Sequence, residues 1–105
     1  MPININSHQI QIADLSVDLN QLTINGTQAE HPIRRKEAQL LRILQNYPNQ
    51  VINKYALQEL VWDFQVINPS NTLEVHLSSL RRKVHQLSKR VRIETIRGVG
   101  YRLSY

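Results

Sequence analysis

Leu73, Leu77, Leu80, Val84 and Leu87 recur at i, i+4, i+7, i+11 and i+14, and this stripe constrains the chain more than any other feature. Such spacing puts five apolar side chains on one side of a single helix and demands a core there. It predicts a helix over 71–87, with Asn71 and Glu74 at the spacing of a capping box. Beyond it Val91, Ile93 and Thr95 alternate, Arg97-Gly98-Val99-Gly100 turns, and Tyr101 and Leu103 alternate again. That pattern predicts a β-hairpin over 91–105.

The rest of the chain must supply the core. Ile10 and Ile12, then Leu15, Val17 and Leu19, then Leu22 and Ile24 alternate. Asn25-Gly26 marks a turn, and Gln28–His31 returns as a fourth strand. These are four short strands over 8–32, behind a polar, flexible N-terminus at 1–7. After Pro32 the period changes. Leu40, Leu41, Leu44 and Tyr47 predict one face of a helix over 35–46, stopped by Pro48. A second helix over 54–62 has Asn53 as N-cap and Leu57, Leu60 and Val61 as its apolar face. Residues 63–70 connect it to the third helix, with Asn68-Pro69 as punctuation.

Sheet, three helices, hairpin is an α+β order. It predicts a winged helix-turn-helix with an N-terminal four-stranded antiparallel sheet at 8–32, a three-helix core at 33–87 and a hairpin wing at 91–105. The whole of 8–105 reads as one domain, since 105 residues fit one and not two.

Charge points to a partner. Residues 69–105 hold eight Lys or Arg against Glu74 and Glu94, a net +6, whereas 1–68 sum to −1. A basic module on a near-neutral body attracts polyanions, nucleic acid before anionic membrane. The chain has no Cys, which excludes disulfides, thiol catalysis and Cys-based metal sites. Its eight acids are scattered, its four His are dispersed, and no hydrolase or nucleotide-binding motif occurs. No enzyme, cofactor or metal is expected. Lacking a signal peptide and any apolar run of about 20 residues, the sequence reads as soluble and intracellular, with no membrane partner.

With the stripe inward, a helical wheel puts Asn71, Val75, Ser78, Ser79 and Arg82 outward, flanked by Arg81 and His85 on one edge and His76 and Lys83 on the other. Arg and Asn pair with purine edges in the major groove, Val meets a thymine methyl, and Ser bonds bases or phosphates. A solvated polar face explains the same residues. The hairpin tips the balance: Arg97 stands beside two glycines at a tip able to enter a groove, and Thr95 and Tyr101 offer hydroxyls to phosphates.

Residues 33–103 resemble the effector domain of OmpR/PhoB-type response regulators. The resemblance rests on Lys36-Glu37 with Leu40-Leu41, Leu57 with Val61-Trp62, Asn71-Thr72-Leu73-Glu74-Val75-His76-Leu77, Leu80-Arg81-Arg82-Lys83-Val84, and the run Ile93 to Leu103. It implies sequence-specific double-stranded DNA binding in a two-component transcriptional system, in the cytoplasm. The third helix would lie in the major groove, with Val75, Ser79 and Arg82 reading bases, and Arg97 in the minor groove. Trp62, Asn71, His76, Ser78, Arg81, Thr95 and Tyr101 would meet phosphates. The connector, through Phe64, Gln65, Val66 and Ile67, would contact RNA polymerase. A receiver domain and a cognate histidine kinase are implied partners. The domain would be a monomer alone and a head-to-tail dimer on direct repeats.

Four departures matter. Ile33-Arg34 replaces the family's usual Leu-Thr, leaving Glu37 without a capping partner, at an expected cost of ~1 kcal/mol. Arg34, Arg35 and Lys36 crowd positive charge at the positive end of a helix. Ser78 and Ser79 stand where several relatives are basic. No receiver sequence is present, so the chain reads as an effector domain separated at its linker or as a stand-alone regulator, the first being favoured. The competing reading is a winged helix that binds protein, or nucleic acid without sequence preference.

Overall fold

The computed structural model describes residues 8–62 and 71–105. The N-terminal sheet has the order β1 (Gln9–Ile12), β2 (Leu15–Asp18), β3 (Thr23–Asn25), β4 (Glu30–Pro32), all antiparallel neighbours. Alternation decides which side is inward: Ile10, Ile12, Leu15, Val17 and Ile24 are buried, and the residues between them are not. Leu19 and Leu22, expected within strands, lie in the β2–β3 turn instead and are partly buried. Leu22 turns there at φ 55. Two N–H groups of that turn, from Asn20 and Gln21, donate to Asp18 Oδ1 at 2.9 Å each.

Helix α1 (Arg35–Asn46) buries Ala38, Leu40, Leu41 and Leu44. Tyr47, expected on that face, is 51% exposed because the helix ends before it. Helix α2 (Lys54–Val61) is capped by Asn53, whose Oδ1 accepts the N–H groups of Tyr55 at 2.8 Å and Ala56 at 3.4 Å. Leu57 and Val61 face the core. Leu60 does not: at 64% exposure it lies outside the narrow stripe that eight residues present. Helix α3 (Asn71–Leu87) buries Leu73, Leu77, Leu80 and Val84, as its spacing requires.

The wing is larger than a hairpin. Strands β6 (Arg92–Ile96) and β7 (Gly100–Ser104) pair, and β7 also pairs with a further strand, β5 (Val51–Asn53), giving the order β5-β7-β6. β5 carries only three residues between α1 and α2, too few for an alternating pattern. It can approach because residue 100 has no side chain: a Cβ there would lie 1.9 Å from the Ile52 carbonyl oxygen. The Lys54 N–H then donates to the Val99 carbonyl at 3.0 Å, tying the wing turn to the start of α2. One core joins both sheets and all three helices.

Candidate nucleic-acid interface

The burial of one side of α3 fixes what its other side offers. Val75 is 55% exposed, Ser78, Arg81 and Arg82 are exposed, and Ser79 is half-buried. Between this face and the first turn of α1 runs an open groove of about 460 Å³, lined by Arg34, Glu74, Val75, Ser78, Ser79 and Arg82. A second cleft, of about 290 Å³, separates α3 from the wing and holds Glu74, Ser78, Arg81, Thr95 and Tyr101 over a floor of Leu77 and Ile93. Arg81 Nη1 donates across it to Thr95 Oγ1 at 3.4 Å.

The wing turn presents Arg97. The Val99 N–H donates to the Ile96 carbonyl at 2.9 Å, and Gly98 takes φ 76, a conformation open to glycine at little cost. Arg97 therefore sits exposed at the outer corner of a tight turn. Behind it Arg102 donates to Glu94 at 3.0 Å across the β6–β7 register, and Ser104 donates to the same carboxylate. Together they hold the Glu94 carboxyl below the ordinary carboxylate range.

A buried carboxylate organises the joint between α1 and α3. Glu37 is fully buried, and burial alone would raise its pKa. The Arg34 N–H, donated at 2.7 Å, Lys83 Nζ, donated at 2.9 Å, and the neighbouring Ser79 hydroxyl outweigh that and lower it. This is half of a capping box. Glu37 reaches back to the Arg34 N–H, while the reciprocal bond needs an acceptor that an Arg side chain lacks. Of the three cations at the α1 N-terminus, Lys36 is turned to donate to the Val61 carbonyl at 2.8 Å, while the carboxylate of that turn, Glu37, is paired with Lys83 of α3.

Trp62 and Tyr101, expected at phosphates, are mostly buried, at 9% and 7% exposure. The Trp62 ring meets His76 edge-on at 5.3 Å, with Lys36 Nζ 5.7 Å from its centroid. Tyr101 lines the α3–wing cleft, and burial, then the charge of Glu74, raises its pKa. His76 is half-buried, its Nδ1 2.8 Å from the Thr72 carbonyl. A carbonyl only accepts, so Nδ1 is the donor in this contact. His85 Nε2 accepts the Ile93 N–H at 3.4 Å; burial and the charges of Arg92 and Arg81 lower its pKa. Asn71 begins α3, but its side chain, the capping pair it was expected to form, and Phe64, Gln65, Val66 and Ile67 lie outside the described residues. So do residues 1–7.

Sequence reasoning missed Arg34 and Glu74 as lining residues of the grooves, and the Glu37–Lys83 pair. Arg34 was legible only as excess charge, because nothing in the sequence shows that the start of α1 lies beside α3. Among the described residues no helix is long and apolar enough to cross a membrane, and no cluster of His, Asp or Glu is arranged to hold a metal.

The family described as "Transcriptional regulatory protein, C terminal" matches residues 28–103. The chain belongs to this family. The heme response regulator HssR of Staphylococcus saprophyticus is 34% identical over 101 residues, which cover 96% of this chain and 45% of that protein. HssR of Staphylococcus aureus strain Newman is 30% identical over 101 residues, again 45% of its length. The chain thus spans less than half of these relatives. Among solved structures, the C-terminal domain of the nisin resistance regulator NsrR superposes with a TM-score of 0.76 at 28% identity, covering 90% of this chain and 96% of that one. The AdeR DNA-binding domain, solved with an intercistronic region, shares the fold with a TM-score of 0.72 at 20% identity over 90% of this chain and 98% of its own. This is a winged-helix domain of the kind found at the C terminus of transcriptional regulatory proteins.

Proposed function

We propose that this effector domain reads double-stranded DNA with α3 in the major groove and Arg97 in the adjacent minor groove. The observation that carries the reading is the outward face of α3. Val75, Ser78, Ser79 and Arg82 share one groove opposite the buried Leu stripe, and the wing projects an exposed Arg beside it. Val75, Ser79, Arg82 and Arg97 are the base readers; Ser78, Arg81, Thr95 and His76 hold the phosphates that border them. Trp62 and Tyr101 act at phosphates through the edges they leave exposed, and Asn71 through its place at the helix start. Within a two-component regulator the domain follows a receiver controlled by a histidine kinase, works in the cytoplasm, and contacts RNA polymerase through residues 63–70. Two copies bind head to tail on direct repeats about one DNA turn apart.

Selection from random duplex DNA, with Arg97→Ala in parallel, tests this. An enriched direct repeat whose A·T-rich minor-groove positions lose definition in the variant supports the reading. Salt-sensitive binding that enriches no sequence would replace it with a non-specific or protein-binding role.

A further inference from the structure

The joint between α1 and α3 leaves one atom unexplained. Glu37 Oε1 receives both the Arg34 N–H and Lys83 Nζ, whereas Oε2 is buried with no hydrogen-bond partner among the described residues. An ionised carboxylate only accepts, and a buried acceptor left unmatched is costly, so Oε2 requires a donor. Ser79 is placed to supply one. It precedes Lys83 by one helical turn on α3, so both project toward α1, and it is half-buried beside Arg34, whose N–H Glu37 already holds. A donor hydroxyl at Ser79 also acts in the direction of the charged carboxylate. Its opposite side opens into the groove shared with Val75, Ser78 and Arg82.

We propose that Glu37 Oε2 accepts a hydrogen bond from the Ser79 hydroxyl, so that Ser79 faces the major groove as an acceptor only. A serine hydroxyl is normally ambiguous, one donor and two lone pairs that rotate to suit any base. With its proton committed inward it matches the amino groups of adenine N6 or cytosine N4 and fails against guanine O6 or thymine O4. Glu37 is then a positioning residue that sets the polarity of a base contact it never touches. Lys83 keeps the carboxylate charged. The inference rests on the DNA-reading role of α3.

The test is selection from random duplexes with the 105-residue chain as wild type, Ser79→Ala, Glu37→Gln and the double variant, each checked for folding by thermal melting. Wild type is expected to prefer A or C at one position by about fivefold, the worth of one neutral hydrogen bond, and Ser79→Ala to lose preference there only. Glu37→Gln is nearly isosteric, and its amide NH₂ in place of Oε2 donates to Ser79 Oγ. The freed hydroxyl proton should move that position toward G or T, an effect absent in the double variant. Should Glu37→Gln not fold, the DNA takes the substitution: purine for adenine, or 2-pyrimidinone for cytosine, should cost wild type the same fivefold and Ser79→Ala nothing.

A Ser79→Ala profile identical to wild type overturns the proposal. So does a Glu37→Gln profile that blurs all positions equally, which marks a purely structural role. An unchanged preference in Glu37→Gln means the hydroxyl is held elsewhere, for instance by the Val75 carbonyl. If wild type itself enriches no sequence, the DNA-reading role fails first and this inference with it.

Discussion

Ala13 closes the β1–β2 turn at φ 52, a conformation that costs an L-residue about 1 kcal/mol and glycine almost nothing. It is exposed, so nothing packs on the methyl. Ala13→Gly should raise stability by about 0.5 kcal/mol, net of the extra chain entropy of the unfolded state, read as a higher urea midpoint. Glu37 gives the opposite lesson. Its folded pKa is lowered, so its charge adds stability above the ordinary value of about 4.3, and that contribution is lost as pH falls through the lower folded value. Urea midpoints measured from pH 7 down to pH 3 should fall less steeply for Glu37→Gln than for wild type. Lys83→Met strands the carboxylate and should cost about 3 kcal/mol in the same assay at pH 7. None of these was legible in the sequence. An Ala in a left-handed turn has no signature, and residues 37 and 83 meet only after both helices have packed.

The elements themselves were largely legible, for reasons that differ. α3 has 17 residues, enough periods to define an apolar stripe, and its bounds follow from the spacing. α2 has eight, and there the pattern could not separate Leu60, which is exposed, from Leu57 and Val61, which are buried. β5 was invisible because three residues carry no period and their pairing depends on a glycine almost 50 positions away. That dependence is testable. Gly100→Ala would drive a methyl into the Ile52 carbonyl, so β5 must leave β7. The expected cost is about 3 kcal/mol, with faster hydrogen exchange at the Lys54 N–H, which the Val99 carbonyl now protects. The tight turn that leaves Arg97 exposed at the wing tip was legible from Gly98 and Gly100. Its bond to α3 through Arg81 and Thr95 was not, because a contact 14 residues apart depends on how the hairpin folds back.

Across the assembled molecule the basic residues of α3 are divided between two clefts. Arg81 and Arg82 are adjacent in sequence, yet Arg81 lines the α3–wing cleft and Arg82 the α1–α3 groove. Arg81→Ala should weaken binding to specific and random duplexes alike and flatten the slope of log K against log salt by about one. Arg82→Ala should lose about 1–3 kcal/mol on the selected site and relax one base position, with little change on random DNA. Paired titrations of both variants at several salt concentrations distinguish the roles, and equal losses on both DNAs would move Arg82 to the phosphate set.

At the far end of α3, Ser88 is buried and used three times. Its hydroxyl donates to Asp14 in the β1–β2 turn at 2.6 Å and accepts the N–H groups of Arg90 at 3.0 Å and Val91 at 3.1 Å. Val75 lies 13 residues up the helix, about 20 Å away at the usual rise. A rigid rod magnifies angular error over its length, and a tilt of only about 5° at Ser88 would carry Val75 by nearly 2 Å, more than a hydrogen bond tolerates. On the proposed reading, the fidelity with which α3 recognises a base is therefore set at the end of the helix that no base reaches, by one hydroxyl clamped to the opposite sheet.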